Sequence, residues 1–101
     1  MSRGLRVSAQ VMRFATRLAP EPRRALKRAL RELASERGDI LPLEGGLTGY
    51  HRLRVGRHRV IFAYASDGAL EAIFAGERSL VYEVFEAEFV RRIRSGPARG
   101  A

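Results

Sequence analysis

Tyr50-His-Arg-Leu-Arg-Val-Gly-Arg-His-Arg-Val-Ile-Phe-Ala-Tyr64 reads as a β-hairpin. Two strand-like runs, Tyr50 to Val55 and His58 to Tyr64, flank Gly56-Arg57. A two-residue loop with glycine first suits a type II′ turn, which needs φ > 0 at its first central position. That loop length sets the register. Val55 faces His58, Arg54 faces Arg59, Leu53 faces Val60 and Arg52 faces Ile61. Side chains alternate between faces along a strand. Arg52, Arg54 and Arg59 therefore share one face, and Leu53, Val55, Val60, Phe62 and Tyr64 share the other.

Like charges directly opposite each other destabilise a hairpin. Two readings of the arginine face follow. It is a solvated face with an arginine excess, or it is a surface on which an anion with several phosphates spans the guanidinium groups.

The bulk composition bounds both readings. A chain of 101 residues with 46% apolar and 30% charged residues is expected to form one globular domain with one core, ordered over about 5–94. No apolar run approaches the roughly 18 to 20 residues that span a bilayer, and no signal peptide is evident. Without cysteine there are no disulfides and no thiol chemistry. Two histidines without a cluster argue against a protein-built metal site, and nothing points to a cofactor. The net charge of +8 points to a polyanion or an acidic partner, with nucleic acid the commonest candidate.

Upstream of the hairpin, Leu5 to Val7 could form a short strand. Ser8 is placed to cap a helix whose stripe is Val11, Phe14, Ala15 and Leu18. Pro20-Glu21-Pro22 separates it from a second helix, about Pro22 to Arg37, with Leu26, Ala29, Leu30 and Leu33 as its stripe and Gly38 as its C′ residue. Arg23, Arg24, Lys27, Arg28 and Arg31 cover the remainder of that helix. They are a solvated face, or they contact RNA phosphate or an acidic protein. Asp39 to Gly49 reads as a glycine-rich loop that could rim a site.

Downstream, Asp67-Gly68 signals a two-residue type I′ turn. It would place Ala63 opposite Ala72, Ile61 opposite Phe74 and Arg59 opposite Gly76. Arg78 then continues the arginine face, with Gly76 leaving space among Arg52, Arg54, Arg59 and Arg78. Glu77 falls on the opposite face if pairing is regular, and could swing around where the strand ends. Ser79 could cap a last helix, about Leu80 to Arg94, striped by Tyr82, Phe85, Phe89 and Ile93. A loose tail is expected from Ser95 onward.

The order of these elements resembles the RelE/ParE superfamily of bacterial type II toxins. The residues that carry the resemblance are Leu47, Gly49, Tyr50, Arg52, Arg54, Val55, Gly56, Arg59, Val60, Ile61 and Phe62, followed by Gly76, Arg78, Val81 and Tyr82. It implies an α+β, RelE-like fold: a four-stranded, largely antiparallel sheet with two N-terminal helices on one face and a C-terminal helix beside it. Leu26, Leu30, Leu33, Phe14 and Leu18 should pack on Val55, Val60, Phe62 and Ile73.

The resemblance also implies function. RelE-like members are ribosome-dependent endoribonucleases that cut mRNA by metal-independent attack of the ribose 2′-OH on the adjacent phosphorus. ParE-like members inhibit DNA gyrase instead, and a non-catalytic RNA-binding member is a third reading. On the nuclease side, Arg59 and Arg78 would clamp the phosphate, Arg52 and Arg54 would position the backbone, and Tyr82 would stack on a base or share in proton transfer. Tyr82 equally suits the buried stripe of its helix. Tyr50 and Phe74 are the aromatics available for stacking on that face. Many family nucleases carry histidine or lysine where this chain has Glu77. Arginine is a poor general base, since its pKa lies above about 12, so candidates are Glu77, Glu44, His51, His58 and Tyr82. His51 and His58 alternate onto the core face and read as structural. The implied partners are the ribosome with mRNA and an acidic cognate antitoxin that folds on binding, all in the cytoplasm.

Overall fold

The computed structural model describes residues 2–78 and 81–87. Strand β1 (Leu5–Val7) is followed directly by helix α1 (Ala9–Arg17). Ser8 makes the join. Its hydroxyl oxygen accepts from the Val11 N–H at 3.2 Å, satisfying one orphan donor of the first turn, and its O–H donates to the Ile73 carbonyl at 2.7 Å. Helix α2 covers Pro20–Leu33. It starts two residues earlier than expected, because Pro20 at the first helical position lacks only an N–H that would be unpaired there anyway.

The same helix stops four residues before the expected Arg37. The Glu36 N–H bonds to the Leu33 carbonyl at 2.7 Å and the Arg37 N–H to that of Glu32 at 3.1 Å. This is a Schellman closure, and its left-handed residue is Glu36 (φ 56) rather than Gly38. A side chain is disfavoured in that conformation. The Glu36 carboxylate is held at both oxygens, by Arg3 Nε at 2.8 Å and by the Tyr64 hydroxyl at 2.8 Å, which ties the helix end to the sheet.

Four more strands follow: β2 (Asp39–Pro42), β3 (His51–Val55), β4 (His58–Tyr64) and β5 (Leu70–Glu77). The order is β1-β5-β4-β3-β2, with β1 parallel to β5 and the other neighbours antiparallel. The sheet thus has five strands, not four. The addition is β2, at the start of the stretch expected to be loop. It is an edge strand, where Pro42 is tolerated.

The β3–β4 register is the expected one, from Val55 opposite His58 to Arg52 opposite Ile61. Gly56 sits at φ 62 and Arg57 is not left-handed, which fits type II′. The β4–β5 connection differs. Ala65 and Ala69 pair across Ser66-Asp67-Gly68, and in that loop only Gly68 is left-handed (φ 89). Three loop residues rather than two shift the register by one, so that Ala63 faces Glu71 rather than Ala72. A bulge then inserts Ile73 as an extra residue in β5. Beyond it Ile61 faces Phe74 and Arg59 faces Gly76, as expected.

Two apolar clusters flank the sheet. On the helix side Val11, Leu26, Leu33, Leu53, Val60, Phe62, Leu70, Ala72 and Ala75 are buried, with Phe14, Leu18, Leu30 and Val55 against them. Ile73 does not join them. The bulge turns it to the other side, where it packs with Phe74, Leu43, Tyr50 and Tyr82 around Leu47, Ile61, Val81 and Phe85. Residues 81–87 are helical and lie on that second side together with a 3₁₀ turn, Gly45–Leu47. Ser79, Phe89, Ile93 and the tail from Ser95 lie outside the described residues. Among the described residues no helix is long and apolar enough to cross a membrane.

The β5 edge outlasts its short partner β1. The Gln10 side-chain amide covers it, donating to the Ala75 carbonyl at 2.9 Å and accepting from the Ala75 N–H at 2.8 Å. A glutamine thereby does the work of one more strand residue on an edge that would otherwise be exposed.

The end of the molecule around the second turn is acid-sensitive. Hydrogen bonds from Arg3 and then Tyr64 hold the Glu36 carboxyl below its ordinary value. The Ala69 N–H and then Arg6 do the same for Asp67. A lowered folded-state value adds stability that is present above the unfolded value, near pH 4, and is lost as pH falls through the folded one. Thermal melts should therefore show the melting temperature falling below about pH 4. A Glu36→Gln/Asp67→Asn variant should show a shallower fall. Both carboxylates are exposed, so the difference should shrink in about 1 M salt, where screening acts within about 3 Å.

Candidate nucleic-acid interface

The arginine end of the sheet is built by the first hairpin and the last residues of β5. Arg54 and Arg59 are direct partners across β3 and β4. Past Arg59 the ladder continues into the turn: the Arg78 N–H donates to the Arg57 carbonyl at 3.0 Å, which sets Arg57 opposite Arg78. The Arg59 guanidinium folds back over its own turn, with Nη1 donating to the carbonyls of Gly56 at 2.9 Å and His58 at 3.0 Å. These neutral acceptors orient the group without cancelling its charge. Among the described residues no carboxylate pairs with Arg57, Arg59 or Arg78.

The other half of the arginine face carries an acid, one carboxylate shared by two guanidinium groups. Asp39 lies opposite Arg54 across β2 and β3. Its carboxylate is 3.2 Å from Arg52 Nη1 and 3.5 Å from Arg54 Nε. Arg52 Nη1 also donates to the Asp39 backbone carbonyl at 3.1 Å, and only 14% of the Arg52 side chain is exposed. The expected quartet of Arg52, Arg54, Arg59 and Arg78 is therefore a pair bridged by an acid beside a cluster that is not.

Two further expectations about this face need correction. Gly76 leaves no open space, because a Cβ there would lie 3.5 Å from Val81 Cβ and Cγ2. Val81, at the start of the helical residues 81–87, sits over the glycine. Tyr50 and Phe74 do face the arginine side, but they are not open platforms for a base. Their rings pack on Phe85, with centroids 5.2 Å and 5.9 Å apart respectively.

Tyr82 is half-buried against the same cluster, on the arginine side of the sheet. Glu77 is not. Regular pairing opposite His58 turns it to the helix side, where its Oε2 lies 3.6 Å from His58 Nε2. Both histidines lie on the helix side of the sheet, as alternation implies. His58 is buried with its ring edge-on to Phe14, and His51 stacks on Phe62 at 5.3 Å. Glu44 is exposed ahead of the 3₁₀ turn. Arg24 and Lys27 are exposed on α2, in the layer across the sheet from the arginines, and Arg24 pairs with Glu21 at 3.4 Å. The structure does not bring them to this site.

Arg57 and Asp39 were missed. Extending the hairpin register one step past Arg59 would have found Arg57. No comparable signal marked Asp39, since it sits at the head of a stretch of turn residues. A groove of about 630 Å³ opens on the same side of the sheet, lined by Tyr50, Phe74 and Phe85 with Arg6 and Arg13, and includes none of Arg52, Arg54, Arg57, Arg59 and Arg78.

No family model and no curated protein sequence matches the chain. Solved structures do. The RelBE2 toxin–antitoxin complex of Mycobacterium tuberculosis matches with a TM-score of 0.68 at 20% identity, covering 77% of this chain and 100% of that one. Escherichia coli toxin RelE, as a mutant in the free state, matches with a TM-score of 0.66 at 19% identity over 92% of this chain and 99% of that one. The chain has the fold of the RelE toxins. The archaeal RelE–RelB complex of Pyrococcus horikoshii is similar too, with a TM-score of 0.63 at 24% identity over 77% of this chain and 97% of that one. At such identities the likeness is one of fold, and the RelE-like frame holds the hairpin and β5 so that their arginines meet at one sheet end.

Proposed function

We propose that this RelE-like chain is the toxin of a type II toxin–antitoxin pair and an endoribonuclease that cuts mRNA on the ribosome. The observation that carries the reading is the cluster of Arg57, Arg59 and Arg78, three cations at one sheet end without a carboxylate among the described residues. In the reaction the ribose 2′-oxygen attacks the adjacent phosphorus and the bond to the 5′-oxygen breaks. The 2′-proton leaves to a base, and the 5′-oxygen gains a proton. Guanidinium forks match the developing phosphorane charge, so Arg59 and Arg78 take the clamping role. Arg52 and Arg54 position the flanking backbone. Tyr82 stands on the correct side of the sheet for proton transfer, and Glu77 does not.

That position of Glu77 favours a second reading in one respect. It removes a carboxylate base from the arginine side, and a gyrase-inhibiting toxin of the ParE type needs none. The toxin–antitoxin complexes among the structural neighbours, RelBE2 and RelE–RelB, support an antitoxin partner here as well. An acidic segment would complement the charge of +8.

The test uses the purified chain with programmed ribosomes and, in parallel, with DNA gyrase. Cleavage of ribosome-bound mRNA with normal supercoiling supports the nuclease reading. Intact mRNA with lost supercoiling overturns it.

A further inference from the structure

We infer that Asp39 is a built-in occupant of the phosphate-binding face, a carboxylate that holds Arg52 and Arg54 out of the set of cations with which RNA exchanges counterions. The inference rests on the nucleic-acid reading above and concerns the regulation of that same face.

Three observations carry it. Asp39 is in register with Arg54, so the pairing of β2 with β3 places the acid among the arginines. One residue then serves two guanidinium groups, with carboxylate oxygens at 3.2 Å and 3.5 Å. Its own carbonyl holds Arg52 a second time, at 3.1 Å. A carboxylate between two guanidinium groups stands in the place a phosphate oxygen would take, and makes the same kind of charge-assisted contact. Across the hairpin, Arg59 is aimed by carbonyls alone, and Arg57 and Arg78 meet no acid among the described residues. The face is therefore graded. The cations at the turn are ready for a phosphate, and those at the β2 edge become ready only when Asp39 is displaced or discharged. Asp39 is a positioning residue in this account, since it touches the arginines rather than the substrate.

Counterion release reads this directly. For a single strand, the logarithm of the binding constant falls against the logarithm of salt concentration with a slope of about 0.7 per phosphate neutralised. Releasing Arg52 and Arg54 should steepen that slope by about 1.4. The experiment titrates the full-length chain with a fluorescent single-stranded oligoribonucleotide at several salt concentrations. The wild type is compared with Asp39→Asn, which keeps shape and the backbone carbonyl but removes the charge. Asp39→Ser serves as a second variant should the first fold poorly.

The expected result is a steeper slope and tighter binding at low salt for both Asp39 variants. Adding Arg54→Gln to Asp39→Asn should take back about half of the added steepness. Measurable binding with parallel slopes overturns the inference and leaves the nucleic-acid reading standing. A steeper slope that Arg54→Gln leaves untouched also overturns it, because the added cations would then lie elsewhere. No binding by any of the proteins overturns the nucleic-acid reading, and the inference with it.

Discussion

An Arg59→Ala/Arg78→Ala variant is expected to lose mRNA cleavage on programmed ribosomes by at least about 10³-fold and to stop no growth when expressed without an antitoxin. The magnitude follows from the role. Removing a single preoriented donor to developing oxyanion charge costs about 10²–10³ in rate, and two are removed here. Stability should hardly change. Arg78 is exposed at the end of β5 and contributes a backbone bond that alanine keeps. Arg59 loses its two bonds to turn carbonyls, but its removal also relieves the like-charge pairing with Arg54. Circular dichroism melts that coincide with the wild type, alongside lost cleavage, would separate a chemical role from a structural one. Full cleavage by the variant would remove this sheet end from the chemistry.

The second large effect concerns the core. Phe62→Ala should destabilise the chain by about 3–5 kcal/mol. Phe62 is fully buried, packs among Leu26, Leu53 and Val60, and stacks on His51 at 5.3 Å. It is also the residue opposite Ala72 on the turn side of the bulge, where a cavity would loosen the register on both sides. Set against a typical domain stability of about 5–15 kcal/mol, the loss should lower the melting temperature by on the order of 20 °C. Met12→Ala, at a residue 61% exposed, is the contrast and should stay within about 0.5 kcal/mol of the wild type. Thermal or urea unfolding of the two variants settles the comparison.

These residues also show what the sequence could disclose. Strict alternation and a two-residue loop were enough to put Arg54 opposite Arg59, because local turn geometry dictates both. The pairing of Arg59 with Gly76 was reached for a less secure reason. A turn one residue longer than expected and a bulge at Ile73 displace the register in opposite directions and cancel at the arginine end. The cancellation does not extend to Ile73 itself, which therefore packs on the wrong side of the expected core.

Long-range features were the ones that stayed hidden. Asp39–Pro42 carries too weak an alternation, among too many turn formers, to declare itself a strand. It becomes one because β3 offers an edge and Ile40 reaches the core. The left-handed end of α2 falls on Glu36 because Arg3 and Tyr64, 33 and 28 residues away, hold its carboxylate. Val81 over Gly76 is a contact between β5 and the helical residues 81–87, which no local pattern encodes.

The most direct test of the central claim is primer extension on cellular mRNA after brief induction of the wild type and of the Arg59→Ala/Arg78→Ala variant. New 5′ ends inside translated codons, present with the wild type and missing with the variant, are the predicted result. Growth arrest by the wild type with intact mRNA would contradict it.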